Sequence, residues 1–213
     1  MDSTLVDKSY AIARKALEGK ERENHHHFIE HPENVARIVS EEIGLRDDAV
    51  CAVYLHEASR GNSELQERLR KEFPADIMAM VDGLNSISKI TPKETRLQAE
   101  NYRKMIVSYS RDPRVTLIKI ADRLEIMRNL GIFPKSSQMR KLTESQMLYI
   151  PLAHQLGLYK IKGEMENLFF KYSDPEHFRA ISNKLLATQK DREALVAEFL
   201  EPLEKKLEDA GIK

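Results

Sequence analysis

A single cysteine, Cys51, in 213 residues excludes an internal disulfide framework. It sits in the apolar run AVCAVYLH and reads as a small buried hydrophobe rather than a nucleophile. Charge of one sign is also lacking: Lys plus Arg and Asp plus Glu both number 34, a formal net charge of zero. Nothing global therefore draws the chain to nucleic acid or to an anionic membrane, and neither partner is expected. No apolar stretch approaches spanning length and no charged-then-apolar leader opens the chain, so the expected location is the cytoplasm. Convincing internal repeats and low-complexity tracts are missing as well, and few runs have alternating strand character. What is present is 41% hydrophobic residues, enough for one substantial core or two small ones.

Helical spacing dominates the chain. Pro32 suits a first helical turn, followed by Val35, Ile38, Val39 and Ile43 on one face before Gly44. A second helix is expected from about Asp48 into His56, with His56 and Glu57 at its C-terminal end ahead of the turn-prone SRGN. Leu65 and Leu69 mark a short helix, and Ile77, Met80, Val81 and Leu84 another. NSISKITPKET, from Asn85, is the best candidate for a long polar loop, with Lys89, Lys93 and Arg96 making a positive patch there. A helix over about Glu94 to Tyr109 follows. Asp112 and Pro113 then form an N-cap and first-turn pair for TLIKIADRLEIMRNL. Thr143 and Gln146 fit a capping box, and Pro151 predicts a kink or break. Beyond Asp174 and Pro175, the spacing of Phe178, Ile181 and Leu185 and of Leu195, Phe199, Leu203 and Leu207 is amphipathic. That suits either surface helices on the bundle or a linker to another domain. The expected architecture is an all-α bundle over 1–175, with C-terminal helices over 176–213.

Among these helices lie His31, the adjacent pair His56 and Glu57, and Asp122 within KIADR. Imidazole nitrogens and carboxylate oxygens suit a divalent transition metal, which can lower the pKa of a bound water enough to generate hydroxide near neutral pH. Spacing alone suggests the parts of a metallohydrolase without establishing one. Lys119, Arg123 and Arg128 surround the same segment and suit either phosphate contact or ordinary helix packing and salt bridging.

The ordered blocks FIEHPENVARIV, AVYLHEASRGN, VDGLNSI, RLQAENYRKM, VTLIKIADRLEIMRNL and YIPLAHQLGLYKIKGEMENLFFKY resemble the N-terminal HD-type hydrolase domain of the RelA/SpoT family of guanosine polyphosphate synthetases and hydrolases. The resemblance implies an HD-domain helical bundle with Mn2+ held by His31, His56, Glu57 and Asp122. Glu57 stands where the family has aspartate, which keeps the carboxylate and adds a methylene. It implies guanosine polyphosphate as ligand, with Arg22 at the place of a guanine-contacting arginine, while Lys119, Arg123 and Arg128 stay candidates for phosphate contact or for structural ion pairs. The closing EPLEKKLEDAGIK resembles the junction before a synthetase domain, which would then be an intramolecular partner.

Three departures qualify that picture. Active relatives carry a Glu-Asp pair soon after the metal-binding His-Asp pair, where this chain has Arg60 and Gly61. Arginine stays protonated and glycine has no side chain, so neither replaces a carboxylate in proton transfer. Relatives generally read RLHNMRT where this chain reads RLEIMRN, and Ile126 makes no side-chain hydrogen bond. The small, proline-containing segment that includes the guanine-contacting arginine reads RENHHHF here, from Arg22, with His25, His26 and His27 in a row. The expected function is a catalytically degenerate hydrolase domain acting as a regulatory and structural module of a GTP pyrophosphokinase. The alternative is an active manganese-dependent 3′-pyrophosphohydrolase.

Overall fold

The computed structural model describes residues 3–22, 27–88, 103, 106, 107 and 112–211. His25, His26, the patch of Lys89, Lys93 and Arg96, and most of the helix expected over 94–109 lie outside the described residues. Among those described, every regular element is helical, and the only strand-like pairing is the isolated bridge Glu21–His27.

The order is α1 (Ser3–Ala16), α2 (Glu30–Arg37), α3 (Asp47–Ser59), α4 (Ser63–Glu72), α5 (Ala75–Ser88), α6 (Pro113–Arg128), α7 (Lys135–Glu144), α8 (Ile150–Gln155), α9 (Tyr159–Ser173), α10 (Pro175–Ala187) and α11 (Gln189–Asp209). The chain divides by compactness into Met1–Phe169 and Phe170–Lys213.

In the first unit α3 is the axle. Every residue from Ala49 to Ser59 is buried, so it has no solvent face, as its uninterrupted AVCAVYL run requires. Helices α1, α2 and α5 pack around it. Helix α6 is the second buried element, contributing Val115, Ile118, Ile120, Leu124 and Met127 to the core. Where α5 meets α6, a side chain on Gly83 would stand 3.0 Å from Val115 Cγ2, so glycine permits that approach. Cys51 is buried as expected.

Helix boundaries follow local chemistry. Asp112 accepts from the Arg114 backbone N–H at 2.9 Å with Pro113 in the first turn, the N-cap read from sequence. Asn62 caps α4 and Asp174 caps α10 in the same way. Helix α2 passes through a π turn, Ile38–Glu42, and stops at Gly44, whose φ of +80° favours glycine.

Two expectations are corrected. Helix α5 runs through Ser88, so Asn85 is helical rather than the start of a loop. Thr143 does not cap a helix: it lies inside α7 and its hydroxyl donates to the Met139 carbonyl at 3.0 Å. The chain continues through a π turn, Ser145–Tyr149, directly into α8, with Pro151 in the first turn of α8. The regular α-helical pattern is thus interrupted by the π turn just before Pro151.

In the second unit, α10 and α11 carry their apolar residues exposed, Ile181 at 48% and Phe199 at 73%. Phe170 meets Phe178 edge-on at 5.6 Å.

Candidate functional site

His31 opens α2, His56 and Glu57 close α3, and Lys119 and Asp122 lie one turn apart on α6. Because α2 and α6 both pack against α3, five polar side chains from distant parts of the chain meet in the core. Together with Pro32, Val35, Val53, Leu84 and Ile118 they line a cavity of about 10 Å3, about the size of one water.

The two histidines are in opposite states. His56 Nδ1 lies 3.0 Å from Asn85 Oδ1, so the carbonyl accepts the Nδ1 proton and leaves the Nε2 lone pair unprotonated. That Nε2 is buried without a hydrogen-bond partner, 3.5 Å from Glu57 Oε1. Burial pushes the His56 pKa down to about 4 against the opposing charge of Glu57, with Lys119 adding to the depression. His31 is held between two carboxylates: Nδ1 donates to Glu125 Oε2 at 2.7 Å, and Nε2 stands 3.2 Å from Asp122 Oδ1. Burial alone would lower its pKa, but the hydrogen bonds and charges of Asp122 and Glu125 outweigh burial and raise it to about 10.

Asp122 is equally committed. Lys119 Nζ donates to its second oxygen at 2.5 Å. Burial works against ionisation, yet the Lys119 charge and the His31 hydrogen bond hold the Asp122 pKa well below the usual carboxylate range. Arg60, at the end of α3 and largely exposed, reaches to 3.7 Å from Glu57 Oε1. Gly61 follows with φ of +75°.

The donor set fits a divalent metal by type. It offers two imidazoles and two carboxylates around one small cavity, and an orphaned buried nitrogen, His56 Nε2, is the usual mark of a ligand position. In the arrangement seen, the donors form two pairs, His31 with Asp122 and His56 with Glu57, and no three His, Cys, Asp or Glu side chains among the described residues converge on a single point.

The basic residues take up different surroundings. Lys119 is at the cavity. Arg22 is buried and its guanidinium forks onto Glu125, Nη1 to Oε1 at 2.7 Å and Nη2 to Oε2 at 3.1 Å. Arg123 donates to Glu144 at 2.8 Å and stacks over the Tyr149 ring at 4.4 Å. Arg128 is shared between Glu42 and Glu164, with Nε, Nη1 and Nη2 all on carboxylates. His27 is exposed, and His154 stands edge-on to Tyr159 at 5.7 Å. Sequence reasoning missed two residues. Asn85 was assigned to a loop, and Glu125 lay unremarked beside Ile126. The signal for Glu125 was an acidic residue one turn after Asp122 on a helix whose flanks are apolar, a position where a charge demands a partner.

A model of the HD domain matches residues 9–159. The chain is 35% identical, over 94% of its length, to a guanosine-3′,5′-bis(diphosphate) 3′-pyrophosphohydrolase of Haemophilus influenzae, and covers 30% of that protein. It is 32% identical over its whole length to a GTP pyrophosphokinase of Myxococcus xanthus, of which it covers 28%. Among solved structures, a metazoan ortholog of SpoT that hydrolyses ppGpp shares the fold, with a TM-score of 0.63 at 18% identity over 82% of this chain and 98% of that one. The chain belongs to the HD domain family, within its RelA/SpoT branch. It spans less than a third of the length of the curated relatives it matches.

Proposed function

We propose that this chain is a hydrolase-family domain that has lost efficient pyrophosphate hydrolysis and acts as a regulatory and structural module of a larger guanosine polyphosphate synthetase. One observation carries the reading. At the end of α3, beside Glu57, stand Arg60 and Gly61, which offer a fixed cation and no side chain at the place where the family's catalytic carboxylates would sit. A guanidinium cannot accept a proton from an attacking water, and here it lies 3.7 Å from one of the donors instead.

Ligand binding survives this loss in the proposal. His31, His56, Glu57 and Asp122 would hold Mn2+, which when bound lowers the pKa of water and polarises a phosphoryl oxygen. Arg60 also lines a cleft of about 480 Å3 with Lys15, Lys20 and Arg68 and with the carboxylates of Glu64 and Glu72, and the four cations outnumber the two acids in a cleft that would take the phosphates of a guanosine polyphosphate. Lys119 holds Asp122 ionised from within the cavity, and Arg123 and Arg128 fix the helices around it. Occupancy of the site would bias the packing of α3 against α6, the element pair through which a neighbouring synthetase domain could sense it.

Two measurements test the proposal. The first is pyrophosphate release from guanosine tetraphosphate by the purified chain with Mn2+, against an Asp122→Ala control. The second is guanosine tetraphosphate synthesis by the longer protein with and without residues 1–213. Absent release with altered synthesis supports the proposal; unchanged synthesis and regulation sink the regulatory role. The competing reading, an active manganese-dependent 3′-pyrophosphohydrolase, is favoured by the unpaired His56 Nε2 and by relatives carrying that name. Fast release abolished by Asp122→Ala would establish it instead.

A further inference from the structure

Glu125 lies on α6 one turn beyond Asp122, 1% exposed, and its two oxygens meet four donors. Oε1 accepts from Arg22 Nη1 at 2.7 Å and from Asn129 Nδ2 at 2.8 Å; Oε2 accepts from Arg22 Nη2 at 3.1 Å and from His31 Nδ1 at 2.7 Å. A carboxylate offers about four lone-pair positions, so this one is saturated. Its orientation is fixed twice over, because the Arg22 fork sets the plane of the carboxylate and the carboxylate sets the plane of the imidazole. Phe28, edge-on to His31 at 5.9 Å, confines the ring from a further side. With Nδ1 pinned, Nε2 has one direction left, toward Asp122 and the cavity.

We propose that Glu125 is a positioning residue of the cation site, holding His31 Nε2 toward the cavity, and that Arg22 serves that site as the counter-ion of Glu125 rather than as a nucleotide contact. This assignment rests on the reading of His31, His56, Glu57 and Asp122 as ligands of a divalent cation. A histidine that ligates a metal through one nitrogen is held through the other by an acceptor that fixes its tautomer and ring plane. Glu125 supplies that acceptor from the same helix that supplies Asp122, so ligand and support move as one body. Arg22 has both terminal nitrogens on Glu125 and a side chain only 6% exposed, which leaves it no face to offer a base. Its second consequence is local. Phe28 N–H donates to the Lys20 carbonyl at 2.9 Å, and the Arg22–Glu125 fork ties Arg22 to α6 beside His31.

The test compares the unaltered protein, Glu125→Met, and the double variant Arg22→Met/Glu125→Met. The double variant replaces the buried ion pair by apolar side chains and keeps the fold assessable should the single change prevent folding. Two readouts are taken: Mn2+ affinity by titration calorimetry, and the His31 Nδ1 proton by NMR as a downfield resonance protected from exchange. The expected result is a loss of Mn2+ affinity of about 10–100-fold in both variants, with the protected proton present only in the unaltered protein. Unchanged affinity in folded variants, or a protected proton that persists in them, overturns the role of Glu125 while leaving the cation site standing. Failure of the unaltered protein to bind Mn2+ overturns the cation reading itself, and the assignment of Glu125 to a cation site with it.

Discussion

Lys119 and Asp122, one turn apart on α6, form a buried ion pair at 2.5 Å whose carboxylate also faces His31 Nε2 at 3.2 Å. Three charged groups thus share the wall of one cavity, and each keeps its charge because the others do. Removing the cation leaves Asp122 short of a partner in a site with little water. Lys119→Met is expected to lower the unfolding free energy of metal-free protein by about 3 kcal/mol, measured by urea denaturation. The double variant Lys119→Met/Asp122→Leu is expected to cost less than the single change, because it removes the stranded carboxylate as well. Equal or greater cost in the double variant would mean that the pair does not carry this stability.

If the lost carboxylates limit catalysis, putting them back should restore it. Arg60→Glu/Gly61→Asp places a proton acceptor beside Glu57 and removes the guanidinium that now reaches toward it. Gly61 has φ of +75°, which aspartate tolerates better than most residues, at a cost of about 1 kcal/mol. Mn2+-dependent pyrophosphate release from guanosine tetraphosphate is expected to rise at least tenfold, a lower figure than the ~100-fold that a well-placed general base supplies. Equal rates before and after would locate the defect elsewhere in the site.

Where each residue's environment is set by its own helix, the sequence was readable. The Asp112 cap, the arrest at Gly44 and the burial of Cys51 follow from local propensity and from the apolar run in which Cys51 sits. His31, His56, Glu57 and Asp122 were singled out as candidate ligands because their residue types and the ordered motif blocks carried them, and the structure sets all four around one cavity. What was not legible depends on partners far away in the chain. Arg22 and Glu125 are separated by 103 positions, and nothing local announces that they saturate one another. Thr143 was misread because a capping box and a mid-helix threonine look alike until the helix N-terminal to it is known to continue. The same holds for Arg123 and Arg128, whose carboxylate partners are set by packing.

Arg128 places its guanidinium between Glu42 and Glu164. Both carboxylates are about a third exposed, so solvent screens the network and its worth is modest. Arg128→Ala is expected to lower stability at neutral pH by about 1 kcal/mol, without altering binding of guanosine tetraphosphate. The Arg128 hydrogen bond holds the Glu42 pKa below its unfolded value of 4.5, against the opposing effect of burial. Glu42 therefore stabilises the fold above pH 4.5, and that contribution disappears as acid protonates it through its lower folded pKa. The stability gap between wild type and Arg128→Ala should narrow as pH falls below 4.5, followed by thermal unfolding. A gap independent of pH would exclude the ionised pair as its source.

Asn85 gives the sharpest test of the cavity as a ligand site. Its side-chain carbonyl, 3.0 Å from His56 Nδ1, keeps the imidazole proton on that nitrogen and so leaves Nε2 with a free lone pair in the core. Asn85→Ala removes the acceptor. The stranded Nδ1–H then has no partner, and moving the proton to Nε2 lets it bond Glu57 Oε1, now 3.5 Å away, at the cost of the lone pair. Mn2+ affinity is expected to fall by about tenfold or more, while the metal-free protein loses only about 1–2 kcal/mol. Asn85→Asp keeps an acceptor at the same place and should hold Mn2+ affinity at or above that of the wild type, because a carboxylate raises the basicity of the ring it supports. Calorimetric titration of the three proteins separates the cases. Loss in the alanine variant with retention in the aspartate variant assigns His56 Nε2 to a cation, whereas equal affinities in all three would show that the orientation of His56 is irrelevant to metal binding.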